Sequence, residues 1–331
     1  MSTILYHPDG VVRIESMDAG RSRLSVEPKD GLFVPFRTWE TAYPLDLIAH
    51  ILRVTGPAYL CDEIRRDEDP LYVQNCFKWD ILSYVSEDAF AGRRVLDFGS
   101  GSGASTMVLA RLLPSTVELV GVDLAPGHVD LARHRARVCG LEDRVRFHLS
   151  ADANTVPADL GQFDYVVFSA VYEHLLPDQR RSLLPLLWGH LRPRGVLFLN
   201  QTPYRWFPIE THTTGLPLIN YLPDRLALEG ARRFSKRMDS AVSWPELLRR
   251  GIRGGTTREI LGILNRDGRH ANLLTPSRLG VRDEIDLWYQ HSRTRRRPRT
   301  KGLLMRGFRA IKAMTGVSMI PTLSLAIEKI P

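Results

Sequence analysis

Residues 95–103 read Val-Leu-Asp-Phe-Gly-Ser-Gly-Ser-Gly and lead into a stretch with few helix breakers, Ala104 to Leu113. Val95, Leu96 and Phe98 make the short apolar run of a buried parallel strand, which is covered on both faces. Three glycines at alternate positions then allow a sharp turn and let bare backbone approach a ligand closely. A strand, a bare loop and a helix N-terminus in succession form a site for a nucleotide-type cofactor, because the N–H groups of a first helical turn have no partners within the helix.

The glycines alone leave two cofactor classes open. Gly99, Gly101 and Ala104 also satisfy the dinucleotide pattern G-x-G-x-x-G/A, and Asp123 stands about where a ribose-binding acid belongs. Asp97 separates the two. It precedes the first glycine at the carboxyl end of the strand, where it would repel an anionic pyrophosphate and attract an ammonium or sulfonium group. With that acid, the segment resembles motif I of the class I S-adenosylmethionine-dependent methyltransferases, an acidic residue followed by G-x-G-x-G.

The resemblance extends over roughly residues 79–200. Leu119 to Asp123 is similar to a second strand, Val145 to Leu149 to a third, Phe163 to Ser169 to a fourth, and Leu191 to Asn200 to the turn and fifth strand. It implies an α/β fold with a doubly wound, mostly parallel Rossmann-like sheet and S-adenosylmethionine as methyl donor. By the same resemblance, Asp97 holds the methionine end, Gly99 and Gly101 admit it, and Asp123 binds the ribose hydroxyls. Asp152 with Ala153 meets the adenine edge, and Gly103, Leu124 and Ser169 complete the expected cofactor-binding set.

At 331 residues the chain can bury a substantial core. Cys61, Cys76 and Cys139 have no metal-ligand spacing, and an odd count in a long chain points to reduced thiols in a cytoplasm. No signal-peptide run opens the sequence, and no uncharged stretch reaches the ~18 apolar residues of a spanning helix. The net charge of +8 is uneven: residues 231–331 hold 22 Lys and Arg against 8 Asp and Glu. Such an excess suits an anionic partner, whether phosphate, nucleic acid or acidic lipid, and equally suits an arginine-rich helical surface.

Four segments follow. Residues 1–75 form an N-terminal cap of short β-prone pieces, with a helix over Leu45 to Val54 ended by Gly56-Pro57 and a solvated charged loop from Asp62 to Pro70. Residues 76–203 form the cofactor-binding core, in which an amphipathic helix bearing Phe77, Ile81, Leu82 and Val85 precedes the glycine motif. It is a candidate lid. Residues 204–280 form an active-site loop and a helical insertion, with Leu247, Ile252, Ile260, Leu261 and Leu264 as core positions. Residues 281–331 supply late strands at Glu284 to Tyr289 and Pro321 to Ile330, with a helix between them. On that helix Leu303, Leu304, Phe308 and Ile311 oppose Arg306, Arg309 and Lys312, a pattern that suits packing between the strands or contact with an anionic bilayer.

Ala170-Val171-Tyr172-Glu173-His174 follows the fourth strand, at the sheet end where open α/β folds bind ligands. His174 is either a general base, since its ordinary pKa of ~6.5 suits proton transfer near neutrality, or a structural histidine that caps the next helix. The Glu173-His174 pair recurs in the family resembled. Some quinone-precursor O-methyltransferases add a glutamate three positions earlier and use a divalent ion; here that position is Ala170, so no metal set is expected. After the fifth strand, Gln201 to Pro217 has no helical or strand period and is rich in aromatic and polar residues, as a functional loop is. It makes His212 and Glu210 further candidates for base, orienter or ligand, and Tyr204, Arg205 and Trp206 candidates to frame a substrate pocket.

Asn200-Gln201-Thr202-Pro203-Tyr204 is superficially like the motif of amino-group methyltransferases, but that motif belongs after strand four, which here ends in Ser169. His212 to Pro217 and Ile219 to Pro223 look loosely similar to methyltransferases encoded with bacterial surface-polysaccharide enzymes. The function implied is O-methylation of a hydroxyl on a sugar or other bulky small-molecule or glycan acceptor that carries phosphate. Two alternatives are an RNA methyltransferase, for which no RNA-binding module is recognisable, and a non-catalytic S-adenosylmethionine-binding partner protein.

Overall fold

The computed structural model describes residues 2–152, 155–266, 269–293 and 298–331. The chain begins with strands β1 (Ser2–His7), β2 (Gly10–Ser16), β3 (Ser22–Pro28) and β4 (Thr38–Thr41), then helices α1 (Leu45–Glu68) and α2 (Val73–Asp80). Alternating strands and helices follow as β5 (Arg94–Phe98), α3 (Ala104–Leu112), β6 (Glu118–Asp123), α4 (Pro126–Val138), β7 (Val145–Leu149), β8 (Phe163–Ser169), α5 (Pro177–His190) and β9 (Leu191–Pro203). The remainder holds α6 (Asp224–Phe234), α7 (Trp244–Arg249), α8 (Thr257–Leu264), β10 (Ala271–Leu273), α9 (Glu284–Arg293), α10 (Pro298–Thr315) and β11 (Thr322–Lys329).

Among the described residues, seven strands form one sheet in the order β10-β11-β9-β8-β5-β6-β7. The pairs β5–β8, β6–β7 and β8–β9 are parallel, whereas β11 pairs antiparallel with β9 and β10. The fold is therefore the mostly parallel, Rossmann-like α/β sheet with a late antiparallel strand. By contact density the chain divides into two compact units. One comprises Met1–Phe77, Phe90–Gly92 and Gly99–Ala151, the other Lys78–Ala89, Arg93–Phe98 and Asp152–Pro331.

In the first unit, β1 to β4 form an antiparallel meander whose Val12, Ile14, Leu24 and Val26 alternate inward onto Leu47, Ile48, Ile51 and Leu52 of α1. Helix α1 does not stop at Gly56-Pro57. Gly56 takes a positive φ of 72°, and Pro57, whose missing N–H suits a first turn, restarts the helix to Glu68. The charged stretch expected as a solvated loop is thus helical, and its acids turn inward. The guanidinium of Arg135 on α4 is fully buried, 3.4 Å from Asp67 and 3.8 Å from Glu63, while Arg111 reaches Asp67 at 3.4 Å. Glu68 accepts from Trp39 Nε1 at 2.9 Å and Thr41 Oγ1 at 2.8 Å.

In the second unit, Leu96, Val166, Val167, Leu197, Phe198 and Leu199 of β5, β8 and β9 are buried. The insertion is helical as expected. Leu247, Ile252, Ile260 and Leu264 are buried with Ile263, whereas Leu261 is half-buried. Glu284 to Tyr289, expected as a strand, is instead the start of α9. Asp283 caps it, accepting from the N–H groups of Ile285 at 3.1 Å and Asp286 at 2.8 Å. Trp288 of α9 meets Phe308 of α10 edge to face, with ring centroids 5.0 Å apart. Helix α10 therefore packs on a helix, and two of its cations have partners: Arg309 with Asp286, Lys312 with Glu284 at 2.8 Å. Leu303 and Leu304 stay exposed. Residues 267–268 and 294–297, the latter within an arginine-rich run, lie outside the described residues. No helix among those described is long and apolar enough to cross a membrane.

Candidate active site

The first unit carries the glycine loop between β5 and α3. Gly99, Gly101 and Gly103 all have positive φ, at 78°, 53° and 80°, the left-handed region that residues with a Cβ rarely enter. The N–H groups of Gly99 and Ser100 donate to the Val122 carbonyl at 2.8 and 3.1 Å, which fastens the loop to the end of β6. Asp123 closes the turn. Its carboxylate accepts from Gly101 N at 2.9 Å and from Ala125 N at 3.0 Å, with His128 Nδ1 3.6 Å away. Burial pushes the Asp123 carboxyl up, but His128 and the two backbone N–H groups outweigh it and hold the group below the ordinary carboxylate range. One acid thus shapes the loop and presents negative charge beside it. Leu124 is exposed.

The loop is close-fitting on one side and open on the other. A Cβ at Gly103 would lie 2.8 Å from the Ala132 Cβ and 3.2 Å from the Phe147 ring, whereas one at Gly101 would meet nothing within 4 Å. Ser100 Oγ is buried without a partner, and no side chain caps the start of α3. Replacing Gly103 by alanine, which is both crowded and in the left-handed region, is expected to lower stability by about 1–3 kcal/mol. A urea transition unshifted from wild type would contradict that packing.

In the second unit, Asp97 on β5 is buried and Ser169 ends β8 half-buried. Asp152 is exposed, and its N–H donates to Thr155 Oγ1 at 3.2 Å. Ala153 lies outside the described residues. Past β8, Ala170 takes a φ of 55°, and Gln201 of β9 takes 60°, non-glycine residues in the left-handed region at the ends of adjacent strands. Such strain gathers where surrounding structure holds a functional geometry. Asn200 on β9 is fully buried with both amide atoms unpartnered.

Glu173, His174 and His212 converge here, each offering a ligand atom within 4.8 Å of the others. The Glu173 carboxylate is buried. Its Oε2 accepts from Thr202 Oγ1 at 3.2 Å, while Oε1 has no hydrogen-bond partner and stands 3.8 Å from His174 Nε2. Burial raises the Glu173 carboxyl, with the neighbouring His174 acting the other way. His174 Nδ1 lies 2.7 Å from the Arg249 carbonyl, which can only accept, so Nδ1 carries a proton, and in the neutral ring Nε2 presents its lone pair. The His174 and His212 rings lie 5.5 Å apart between centroids, and partial burial followed by the His174 charge lowers the His212 pKa.

Glu210 proves to be an anchor. Its carboxylate accepts from the N–H groups of His212 and Thr213 at 2.9 and 2.8 Å and from Thr214 Oγ1 at 2.7 Å, so it holds the loop that delivers His212. Tyr204 and Trp206 line a cleft of 530 Å³ with Thr256, Arg258 and Leu325. Arg205 instead lies over the Trp206 ring at 4.9 Å. Sequence reading missed Thr202, Asn200, Arg249 and Gly251. Of these, Gly251 had a local signal, a glycine ending a short helix, but nothing in the sequence linked it to His212.

Residues 95–195 match a family described as a methyltransferase domain. The chain is similar to a ribosomal protein methyltransferase of Pseudomonas aeruginosa, at 36% identity over 119 residues that cover 36% of this chain and 37% of that protein. It is 34% identical over 143 residues to a ubiquinone biosynthesis O-methyltransferase of Ruegeria pomeroyi, covering 38% and 54% respectively. An O-methyltransferase family protein from Burkholderia thailandensis aligns over 68% of this chain and 58% of its own, at 17% identity and a TM-score of 0.42. The chain spans about a third to a half of the length of these curated relatives.

Proposed function

We propose that this chain is an S-adenosylmethionine-dependent methyltransferase that methylates a hydroxyl group, on a sugar or a similarly bulky, phosphate-bearing acceptor. The observation that carries the cofactor is the glycine loop tied to Asp123, lying within the stretch that matches a methyltransferase domain. The residues fit the group: Gly101 opens to free space, Ser100 Oγ lacks a partner, and Asp123 offers a carboxylate suited to a pair of ribose hydroxyls. Gly99, Gly101 and Gly103 would admit the cofactor, with Asp97 toward its methionine end and Asp152 toward its adenine.

S-adenosylmethionine supplies an electrophilic methyl group on a sulfonium. The chain's own contribution is to align the acceptor oxygen with that carbon and to draw off the hydroxyl proton; alignment can supply up to ~7–11 kcal/mol in the best cases. Among the described residues, the Glu173, His174 and His212 cluster is the group suited to draw the proton, because the neutral His174 ring, with its Nδ1 proton on the Arg249 carbonyl, offers Nε2 as a lone pair. Support for a hydroxyl rather than a planar amine comes from the chain after β8, which turns into Tyr172-Glu173-His174 and not into an amine-binding motif.

Removing Asp123 leaves two ribose hydroxyls without their acceptor, so Asp123→Ala is expected to weaken S-adenosylmethionine binding by about 1–3 kcal/mol, read by calorimetry. Unchanged affinity would remove this assignment. The acceptor class is tested by offering nucleotide sugars and lipid-linked glycans with radiolabelled methyl donor. Absence of label in every one of them excludes the sugar acceptor.

A further inference from the structure

We propose that Glu173, His174 and His212 bind one divalent transition-metal ion, and that this ion engages the acceptor hydroxyl. The proposal rests on the same cluster being the acceptor-activating site. Three observations carry it beyond proximity. First, the donor set is two imidazoles and one carboxylate within 4.8 Å of one another, the combination that leaves coordination positions open for substrate in zinc and iron sites. Second, Glu173 Oε1 is a fully buried oxygen without a hydrogen-bond partner, 3.8 Å from His174 Nε2. An unpaired buried carboxylate oxygen is costly, and a cation satisfies it. Third, His174 and Glu173 are oriented from behind as metal ligands are, and the backbone that carries His212 is held in place. The Arg249 carbonyl takes the Nδ1 proton of His174, Thr202 Oγ1 donates to the other oxygen of Glu173, and Glu210 grips the backbone of His212.

The sequence expectation of no metal set came from Ala170, which stands where related enzymes have a third donor just upstream. The structure brings a different third donor from the loop after β9. Around an ion at the usual ~2.0–2.2 Å donors 4.8 Å apart would have to draw together. Gly251 faces that movement: at φ 94°, a Cβ there would lie 2.8 Å from His212 Cδ2 and 3.2 Å from Glu173 Cγ.

Nitrogen-rich donors select zinc or iron over magnesium, calcium and manganese, which prefer oxygen. With the ion in place, the histidine nitrogens are ligands and cannot also take the proton. The acceptor oxygen then coordinates the ion, its O–H pKa falls, and the proton leaves to water. The oxygen lone pair forms the new C–O bond as the C–S bond breaks, its electron pair remaining on sulfur.

The test is calorimetric titration of the chelator-treated full chain with zinc and cobalt(II) chloride, with the visible spectrum of the cobalt form as a second readout. Wild type is expected to bind one equivalent, and magnesium not to compete. His212→Gln and Glu173→Gln are expected to weaken binding by at least about 100-fold, while His270→Ala, an exposed histidine elsewhere, leaves it unchanged. Gly251→Ala, which keeps all three donors but crowds them, is expected to weaken it too. Folding of each variant is checked by its thermal transition and by its retained S-adenosylmethionine affinity. Absence of binding by wild type, or full binding by folded His212→Gln, overturns the proposal. Methyl transfer that persists with no ion titrating leaves the transferase standing and removes the metal. An ion bound at this cluster in a chain that methylates no acceptor does the reverse.

Discussion

Replacing His174 by alanine is expected to lower the methyl-transfer rate by about 10²–10⁴-fold, because it removes the nitrogen through which the cluster activates the acceptor hydroxyl, as a ligand of the proposed ion or as the base in its absence. Affinity for the methyl donor should stay as it was, because the residues assigned to the donor lie elsewhere in the chain. The physical reason is specific. The Arg249 carbonyl fixes the ring proton on Nδ1, so the substitution removes the one oriented lone pair beside the buried Glu173 oxygen. It also strands that carboxylate in a site where burial already raises its pKa. Single-turnover measurements separate the chemical step from binding and product release. A folded His174→Ala chain that transfers methyl as fast as wild type would show that the cluster is structural. His212→Ala is expected to follow the same direction, since Glu210 holds its loop in place for that encounter.

The second large effect is on stability. Asp67→Ala is expected to cost about 3–5 kcal/mol, because it leaves the Arg135 guanidinium buried with only Glu63 near it, at 3.8 Å. Arg111 and the hydroxyl of Tyr43 lose the same carboxylate. The size of the loss comes from the stranded charge and not from the strength of the pair. The double variant Asp67→Leu with Arg135→Met, which removes both charges and keeps bulk, is therefore expected to recover most of the loss. Guanidinium denaturation of the three chains decides it. A single variant as stable as wild type would mean that water reaches Arg135 and that the buried network carries no weight.

Both residues illustrate where sequence patterns stop. The run Asp62 to Pro70 reads as a solvated loop because charge density is a property of composition, and burial is not. Whether an acid faces water depends on what lies opposite, here an arginine 68 positions away on α4. The same limit produced the error at Glu284 to Tyr289. Ile285, Leu287 and Tyr289 alternate with polar residues as a strand would, yet Asp283 caps a helix, and packing against α10 covers the apolar face. Alternation over six residues fits a half-buried strand and the start of an amphipathic helix alike, so the neighbouring cap and the partner helix decide.

The glycine loop was legible because its geometry is local. Its three glycines and Asp123 stand at fixed offsets from the ends of β5 and β6, and their backbone conformation follows from those offsets. The sequence by itself determined the sheet, the loop with its three left-handed glycines, the role of β11 as the late antiparallel strand, and the nomination of Glu173, His174 and His212. Only the tertiary structure decided that the three stand together, that Glu210 serves as the anchor of its loop, and that Thr202 and Gly251 adjoin them. Residues 173 and 212 are separated by a helix, a strand and a turn, and the meeting of their side chains depends on how those elements pack. Periodicity and local offsets carry no information about that packing.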